Sequence, residues 1–153
     1  MIITSAPVRI SFIGGGTDFS SWFIPNGGMV ISTSIDKYSY LMINRVSKFR
    51  QYKYRLCYSK IEEVSSIKDI EHNFIRDVFE YFKIDNAELF HCSDLPTSSG
   101  LGSSSTFLAS MIQAAATDKQ KSLSKEDVIN LIWKLEHKNS PNACGYQDAI
   151  PAV

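Results

Sequence analysis

Hydroxyl side chains crowd two glycines in the stretch Asp94-Leu95-Pro96-Thr97-Ser98-Ser99-Gly100-Leu101-Gly102-Ser103-Ser104-Ser105-Thr106-Phe107. Gly100 and Gly102 let the backbone take positive φ and approach a ligand without a Cβ in the way. Ser103, Ser104 and Ser105 open a helical pattern, where the first backbone N–H groups have no intrahelical partner. An anion placed there meets free donors and the positive end of the helix dipole. A serine-rich loop ending in an ordinary N-cap is the alternative, but one serine would serve a cap. Gly-Leu-Gly followed by four consecutive hydroxyl residues exceeds that need and reads as a phosphate cradle. No Gly-Lys-Ser/Thr occurs and the glycine spacing is not Gly-x-Gly-x-x-Gly, so neither common nucleotide loop fits.

Three further groups could do chemistry. Arg9 is the one charge in an apolar run, and Gly14-Gly15-Gly16-Thr17-Asp18 follows it. Three glycines permit close backbone approach and Asp18 offers a carboxylate, although a plain flexible loop has the same composition. Glu136 closes the last helical pattern, and Asp148 lies beyond Gly145-Tyr146-Gln147 after a turn at Pro141-Asn142. Read alone, one is a surface helix residue and the other a loop residue. Cys144 beside them could be a thiol nucleophile, but no motif supports it and a small buried residue is the plainer reading.

The elements that must position these groups follow from periodicity. Met1 to Phe12 alternates as a strand, with Pro7 placing it at an edge or a bulge. Met29–Ile35 and Tyr38–Val46 read as a hairpin turning at Asp36-Lys37, and Gln51–Tyr58 as a further strand. From Asp69 to Lys83 the spacing is helical, with Ile70, Phe74, Val78 and Tyr81/Phe82 on one stripe and Arg76, Asp77 and Glu80 elsewhere. Asn86–Cys92 is the strand before the cradle. The helix after it carries Phe107, Leu108, Met111, Ile112 and Ala115. A last helix begins at a capping box, Ser124 to Asp127, buries Val128, Leu131/Ile132 and Leu135, and ends before Pro141. Paired strands, then helices flanking one more strand, make an α+β fold.

Composition limits the function classes. The 153 residues fit one domain with a real core. Sixteen basic and sixteen acidic residues leave no net field toward nucleic acid or an anionic membrane. Lys48, Arg50, Lys53 and Arg55, alternating with Tyr52 and Tyr54, read as a solvated strand face. Cys57, Cys92 and Cys144 give neither a disulfide framework nor metal spacing. With no run approaching the ~20 apolar residues of a membrane span and no signal-peptide layout, the expected location is cytoplasmic.

Pro96-Thr97-Ser98-Ser99-Gly100-Leu101-Gly102-Ser103-Ser104 resembles the Pro-x-x-x-Gly-Leu-Gly-Ser-Ser phosphate loop of the GHMP small-molecule kinases, which include galactokinase, homoserine kinase and mevalonate kinase. The segment from Arg9 to Asp18 resembles their sugar-binding segment, with Gly15 and Gly16 where galactokinases carry Glu and His. This departure argues against galactose, and the triple-glycine form looks most like the D-glycero-D-manno-heptose 7-phosphate kinase branch. The resemblance implies a GHMP amino-terminal domain (ribosomal protein S5 domain 2-like), with a mixed or antiparallel sheet and helices on one face. It implies ATP held by Pro96, Ser98, Ser99, Gly100, Leu101, Gly102, Ser103, Ser104 and Ser105, and Mg²⁺ held by Ser104 and Glu136. Asp148, paired with Arg9, would face the acceptor hydroxyl, and Gly15, Gly16, Thr17 and Asp18 would bind the sugar phosphate.

Members of this superfamily are about twice as long, so residues 1–153 correspond to the amino-terminal half. Asp148-Ala149-Ile150-Pro151 departs from the usual Asp-Gln-Tyr continuation, and Pro151 would weaken the strand expected there. Three readings follow: the ATP-binding half of a sugar-phosphate kinase (of heptose or of fucose type), a nucleotide- or sugar-sensing module without turnover, or a half-domain that needs a carboxy-terminal partner chain or a second copy. A missing half implies exposed apolar surface where it would pack.

Overall fold

Alternation of apolar and polar residues makes the first dozen positions a strand, β1 (Ile2–Ile13), and recurs through β2 (Ile31–Arg45). The computed structural model describes residues 1–47, 49–96, 99–140 and 145–153. The expectations for Lys48, Thr97, Ser98, the Pro141-Asn142 turn and Cys144 lie outside the described residues. β1 and β2 pair antiparallel, Ile2 opposite Ile43 and Ile13 opposite Ile31. No hairpin forms at Asp36-Lys37. Pro7 faces Tyr38 and Arg9 faces Ser34, so Ile35, Asp36 and Lys37 bulge opposite Val8 inside one continuous strand. Proline has no N–H to give the ladder, and the bulge takes up the extra residues at that step.

Between these strands lies α1 (Ser20–Asn26), which the sequence reading does not contain; it buries no residue and holds Pro25, so neither periodicity nor propensity marks it. The expected strand Gln51–Tyr58 shortens to β3 (Tyr54–Cys57), and it gains an unanticipated antiparallel partner, β4 (Ile61–Val64), whose two glutamates mask its alternation. A 3-10 turn (Ile67–Asp69) precedes α2 (Asn73–Phe82), so the helix expected from Asp69 starts later, Ile70 entering the core in extended conformation. β5 (Ala87–Ser93) then inserts between β2 and β3, antiparallel to the first and parallel to the second. The sheet order is β1-β2-β5-β3-β4.

Helices α3 (Ser103–Asp118) and α4 (Lys125–Asn139) follow, α4 opening on the expected box: Ser124 Oγ accepts from Asp127 N at 3.1 Å, and Asp127 Oδ2 accepts from Ser124 N at 2.9 Å. The chain ends after a short helix, α5 (Tyr146–Ala149), where a strand was expected. Pro151 cannot serve a ladder but fits after a helix end, and Ala149 and Ala152 are buried.

All the helices that reach the sheet cover one face, burying Leu41, Ile43, Leu56 and Leu89 beneath Phe79, Leu108, Met111 and Ile112. Ile3, Tyr40 and Ile61 remain exposed on the strands. Val78 and Phe82 of α2 are buried as expected, whereas Tyr81 is exposed. Asp77, expected to point away, is buried; its carboxylate accepts from Lys138 Nζ at 2.6 Å and Asn139 Nδ2 at 2.9 Å, clasping α2 to α4. A buried charge demands such partners. Exposed apolar side chains gather elsewhere: Phe12, Ile13, Trp22, Ile24, Met29, Ile31 and Ile150 lie at the end formed by the close of β1, α1, the start of β2 and α5. Among the described residues no helix is long and apolar enough to cross a membrane.

Leu89 lies at the centre of the sheet and is wholly buried. Leu89→Ala should lower the unfolding free energy by about 2–5 kcal/mol, measured by urea denaturation; a loss under ~1 kcal/mol would contradict this placement of the core.

Candidate active site

The cradle takes its shape from the end of β5. Asp94 N donates to Tyr38 O at 3.0 Å and Asp94 Oδ2 accepts from Tyr38 N at 2.9 Å, which fixes where the loop leaves the sheet. Gly100 and Gly102 both adopt the left-handed conformation, at φ +73° and +74°. A Cβ on Gly100 would meet nothing, so its requirement is conformational; one on Gly102 would lie 3.2 Å from Arg9 Cγ. Gly102 is the N-cap of α3 and offers no side-chain cap, leaving the mouth of a 16-residue helix open to an outside acceptor.

The hydroxyls at this mouth divide. Ser105 Oγ donates to Glu136 and Thr106 Oγ1 to Gly102 O at 3.0 Å, both from buried positions. Ser103 is half-buried and Ser104 exposed at the mouth. Ser99 Oγ is buried with no hydrogen-bond partner among the described residues. Of the expected nucleotide-binding residues, the structure leaves Ser103 at the mouth, turns the hydroxyls of both Ser104 and Ser105 onto Glu136, and leaves Ser99 with a hydroxyl unmet among the described residues.

Glu136 is on the last turn of α4 and only 3% exposed. Its Oε1 accepts from Ser104 Oγ at 2.6 Å and Ser105 Oγ at 2.7 Å, while Oε2 is buried without a partner among the described residues. Burial drives its carboxyl above the usual carboxylate range, against the two serine hydroxyls that pull it down. A buried carboxylate with one oxygen unpartnered among the described residues, beside an open helix mouth, is short of a cation. Among the described residues no group of three His, Cys, Asp or Glu side chains could enclose a metal. One carboxylate and one hydroxyl still suit Mg²⁺, which keeps waters and takes its remaining ligands from phosphate. The donor set therefore fits that ion.

Across the loop stands Arg9, 7% exposed. Its Nε and Nη2 donate to Asp148 Oδ1 at 2.8 and 2.5 Å, and Nη1 donates to Gly100 O at 2.8 Å. Its backbone N donates to Leu101 O at 3.1 Å. Both guanidinium donors converge on Oδ1, and Oδ2 of the partly exposed carboxylate takes no hydrogen bond among the described residues.

The triple-glycine loop lies beside α5. Gly14, at φ +92°, has no room for a side chain, since a Cβ would fall 1.9 Å from Met29 O. Gly15 has ordinary clearance from Gln147, and Gly16, at φ +91°, faces open space. Thr17 Oγ1 donates to Gly14 O at 2.8 Å and accepts from Met29 N at 3.2 Å, so this hydroxyl stitches the loop. Asp18 accepts from Gly16 N at 3.1 Å and Gln147 N at 2.9 Å. Thr17 and Asp18 border a cavity of about 610 Å³ whose other walls include Phe23, Met29, Ile31 and Tyr146. Its polar groups lie with Thr17, Asp18, Ser32 and Gln147, and the rest is apolar.

One further feature is absent from the sequence reading. A cavity of about 270 Å³ adjoins Ser103 and Ser104, lined by Tyr58, His72, Phe74, His91, Leu95 and Phe107. His72 meets Tyr58 and Phe107 ring to ring at 4.8 and 5.3 Å, and His91 meets Phe107 at 4.7 Å. Ser39 Oγ lies 2.8 Å from His91 Nε2. These residues come from β2, the β3–β4 turn, the start of α2, β5 and α3, and each alone looks like core; the signal was the aromatic content beside the cradle. Cys57 and Cys92 are free thiols.

Comparison with known proteins gives the family to which this fold, glycine loop and helix mouth belong. Residues 69–153, more than half of the chain, match the GHMP kinases N terminal domain, and the chain belongs to that family. It is 25% identical, over 164 aligned residues, to D-glycero-alpha-D-manno-heptose 7-phosphate kinase of Campylobacter jejuni, covering 99% of this chain and 48% of that protein. The fold is shared with a D-glycero-D-manno-heptose 1-phosphate kinase from Bacteroides thetaiotaomicron (TM-score 0.85, 23% identity, 98% of this chain and 52% of that one). It is shared also with Streptococcus pneumoniae phosphomevalonate kinase in complex with phosphomevalonate and AMPPNP (TM-score 0.74, 14% identity, 97% and 46%). The chain spans about half the length of the relatives it matches.

Burial holds both cavity histidines below the usual imidazole value of 6.5, against the nearby Glu62 carboxylate that favours protonated His72. The unfolded chain therefore takes up protons below pH 6.5 that the folded chain does not. The stability present above that pH is lost as pH falls through the folded values. The slope is at most about 1.4 kcal/mol per pH unit for each histidine, less for solvent screening of the partly open rings. His72→Phe, which keeps the ring contacts, should flatten the decline in urea-unfolding free energy between pH 6.5 and 5.5 by up to about half; an unchanged slope would contradict it.

Proposed function

We propose that this chain is the amino-terminal, nucleotide-binding half of an ATP-dependent kinase that phosphorylates a hydroxyl of a sugar or sugar phosphate. The observation that carries the reading is the joint placement of two carboxylates around one open helix mouth. Glu136 lies beneath it with an oxygen unpartnered among the described residues, and Asp148 is held across from it by an arginine that also grips the loop. Family membership supports phosphoryl transfer. The triple-glycine segment and the Campylobacter relative favour D-glycero-D-manno-heptose 7-phosphate as acceptor. The exposed apolar end beside the larger cavity suits a covering second half, contributed by the same longer chain or a partner.

In this reading the phosphates of ATP lie on the backbone N–H groups from Gly100 to Ser105, which need no reorganisation as charge develops. Ser99 and Ser103 supply hydroxyl donors, and the nucleoside enters the aromatic cavity beside Ser103. Ser104 and Glu136 would hold Mg²⁺, which would supply neutralisation of phosphate oxygen charge. Gly15, Gly16, Thr17 and Asp18 form the acceptor wall, where the sugar sets its apolar face on Phe23 and Tyr146. Asp148 Oδ2 accepts the hydrogen bond of the attacking hydroxyl and orients it. Arg9 fixes that carboxylate and ties it to the loop.

Phosphate transfer from γ-labelled ATP·Mg²⁺ to heptose 7-phosphate, measured with the full-length gene product, tests the reading. Transfer is expected, and its absence with every sugar or sugar phosphate offered would overturn it. Asp148→Asn should lower turnover by about 10²–10⁴-fold with the ATP dissociation constant little changed; equal loss of both would remove Asp148 from the acceptor side. Ser104→Ala should weaken nucleotide binding by roughly tenfold only when Mg²⁺ is present, the order of one charge-assisted contact. Equal weakening with and without Mg²⁺ would take Ser104 out of the metal shell.

A further inference from the structure

We propose that Asp18 is a positioning residue: its buried carboxylate ties the start of α5 to the triple-glycine loop and thereby sets Asp148 against Arg9. The inference rests on the phosphoryl-transfer reading and adds to Asp18 a task other than lining the acceptor wall.

Asp18 is 8% exposed, and its two oxygens serve two segments. Oδ1 accepts from Gly16 N in its own loop, and Oδ2 accepts from Gln147 N in the first turn of α5, 129 residues away. α5 has four residues and its N-cap, Gly145, supplies no side-chain cap. A single turn is not stable in isolation, so Asp18 acts as its cap from across the fold, through charge-assisted bonds. Gly145 testifies to the fit. Its φ of −131° is open to any residue, yet a Cβ there would lie 1.9 Å from Asp18 Oδ2 and 2.3 Å from Cγ. Glycine is required at 145 for space, and the occupant of that space is the Asp18 carboxylate.

A second tie points the same way. Ser11 Oγ donates to Gln147 Oε1 at 2.9 Å, so β1 holds the side chain of the residue whose N–H Asp18 holds. Asp148 is next in sequence, and its carboxylate meets Arg9. The helix turn that carries the acceptor-side aspartate is therefore fixed by Asp18 and Ser11 on one side and by Arg9 on the other. A displacement of ~1 Å at a reacting group can cost about 10²-fold in rate, so loosening this tether should appear in turnover.

The test uses full-length protein carrying Asp18→Asn or Gly145→Ala, with turnover, acceptor KM and hydrogen exchange of the Gln147 amide as readouts. Asp18→Asn pairs an amide N–H₂ with a backbone donor, and Gly145→Ala displaces the carboxylate while keeping its chemistry. Both should lower kcat by roughly ten- to hundredfold and speed Gln147 exchange, and Gly145→Ala should do so with acceptor KM within about twofold. Neither should lower the rate further in an Asp148→Asn background, because groups that act as one unit are non-additive. A raised KM at unchanged kcat would make Asp18 a simple acceptor contact and overturn the proposal, as would a wild-type kcat in Gly145→Ala. Should Asp18→Asn fail to fold, Gly145→Ala decides alone. If the wild-type protein transfers phosphate to no sugar, the kinase reading fails by itself; Gln147 exchange still decides the tether, and an unchanged rate in both variants refutes it.

Discussion

A guanidinium taken out of water must find acceptors for its donors, and the fold meets this demand at Arg9 by joining three separate parts of the chain. Asp148 and the Gly100 carbonyl satisfy its head, while its backbone N–H reaches Leu101 and its stem presses Gly102. The strand that carries it, the glycine loop and α5 cannot shift independently while those bonds persist. Gly100 and Gly102 then have two causes at once. Their positive φ shapes the helix mouth, and at Gly102 the missing Cβ makes room for the arginine.

The two carboxylates of the site differ in what they already have. Asp148 has its cation, supplied by the protein. Glu136 has two neutral hydroxyls and a buried oxygen without a partner among the described residues, an arrangement that burial makes costly for the ionised form. One site is electrostatically complete and the other calls for a positive charge from outside. A helix mouth lies between them that favours anions. Cation, anion and hydroxyl acceptor are what phosphoryl transfer must gather, and positioning plus charge neutralisation is most of its catalysis.

Much of this was legible in the sequence, for physical reasons. Glycines followed by a serine run carry a local signal, since the conformation and the donors belong to consecutive residues; so does the Ser124–Asp127 box. What depended on distant partners was not legible. Asp36-Lys37 reads as a turn until Pro7 of the neighbouring strand turns it into a bulge. β4 hides its period behind Glu62 and Glu63, and Glu62 is buried because Tyr58 Oη and Glu71 N donate to it. Asp77 looks like an outward residue until α4 brings Lys138. The aromatic cavity assembles from five places in the chain, and the bond of Asp18 to Gln147 spans a separation that no local window contains.

The central claim is that the helix mouth, Glu136 and the Arg9–Asp148 pair surround one transferring phosphate. The most direct measurement is a crystal structure of the full-length protein with Mn²⁺ and a non-hydrolysable ATP analogue, read by the anomalous signal of the metal. The account predicts a metal peak at roughly 2.0–2.2 Å from a Glu136 oxygen and Ser104 Oγ, with the terminal phosphate between it and Asp148. A nucleotide bound away from Gly100–Ser105, or a metal that leaves the buried Glu136 oxygen bare, would contradict it.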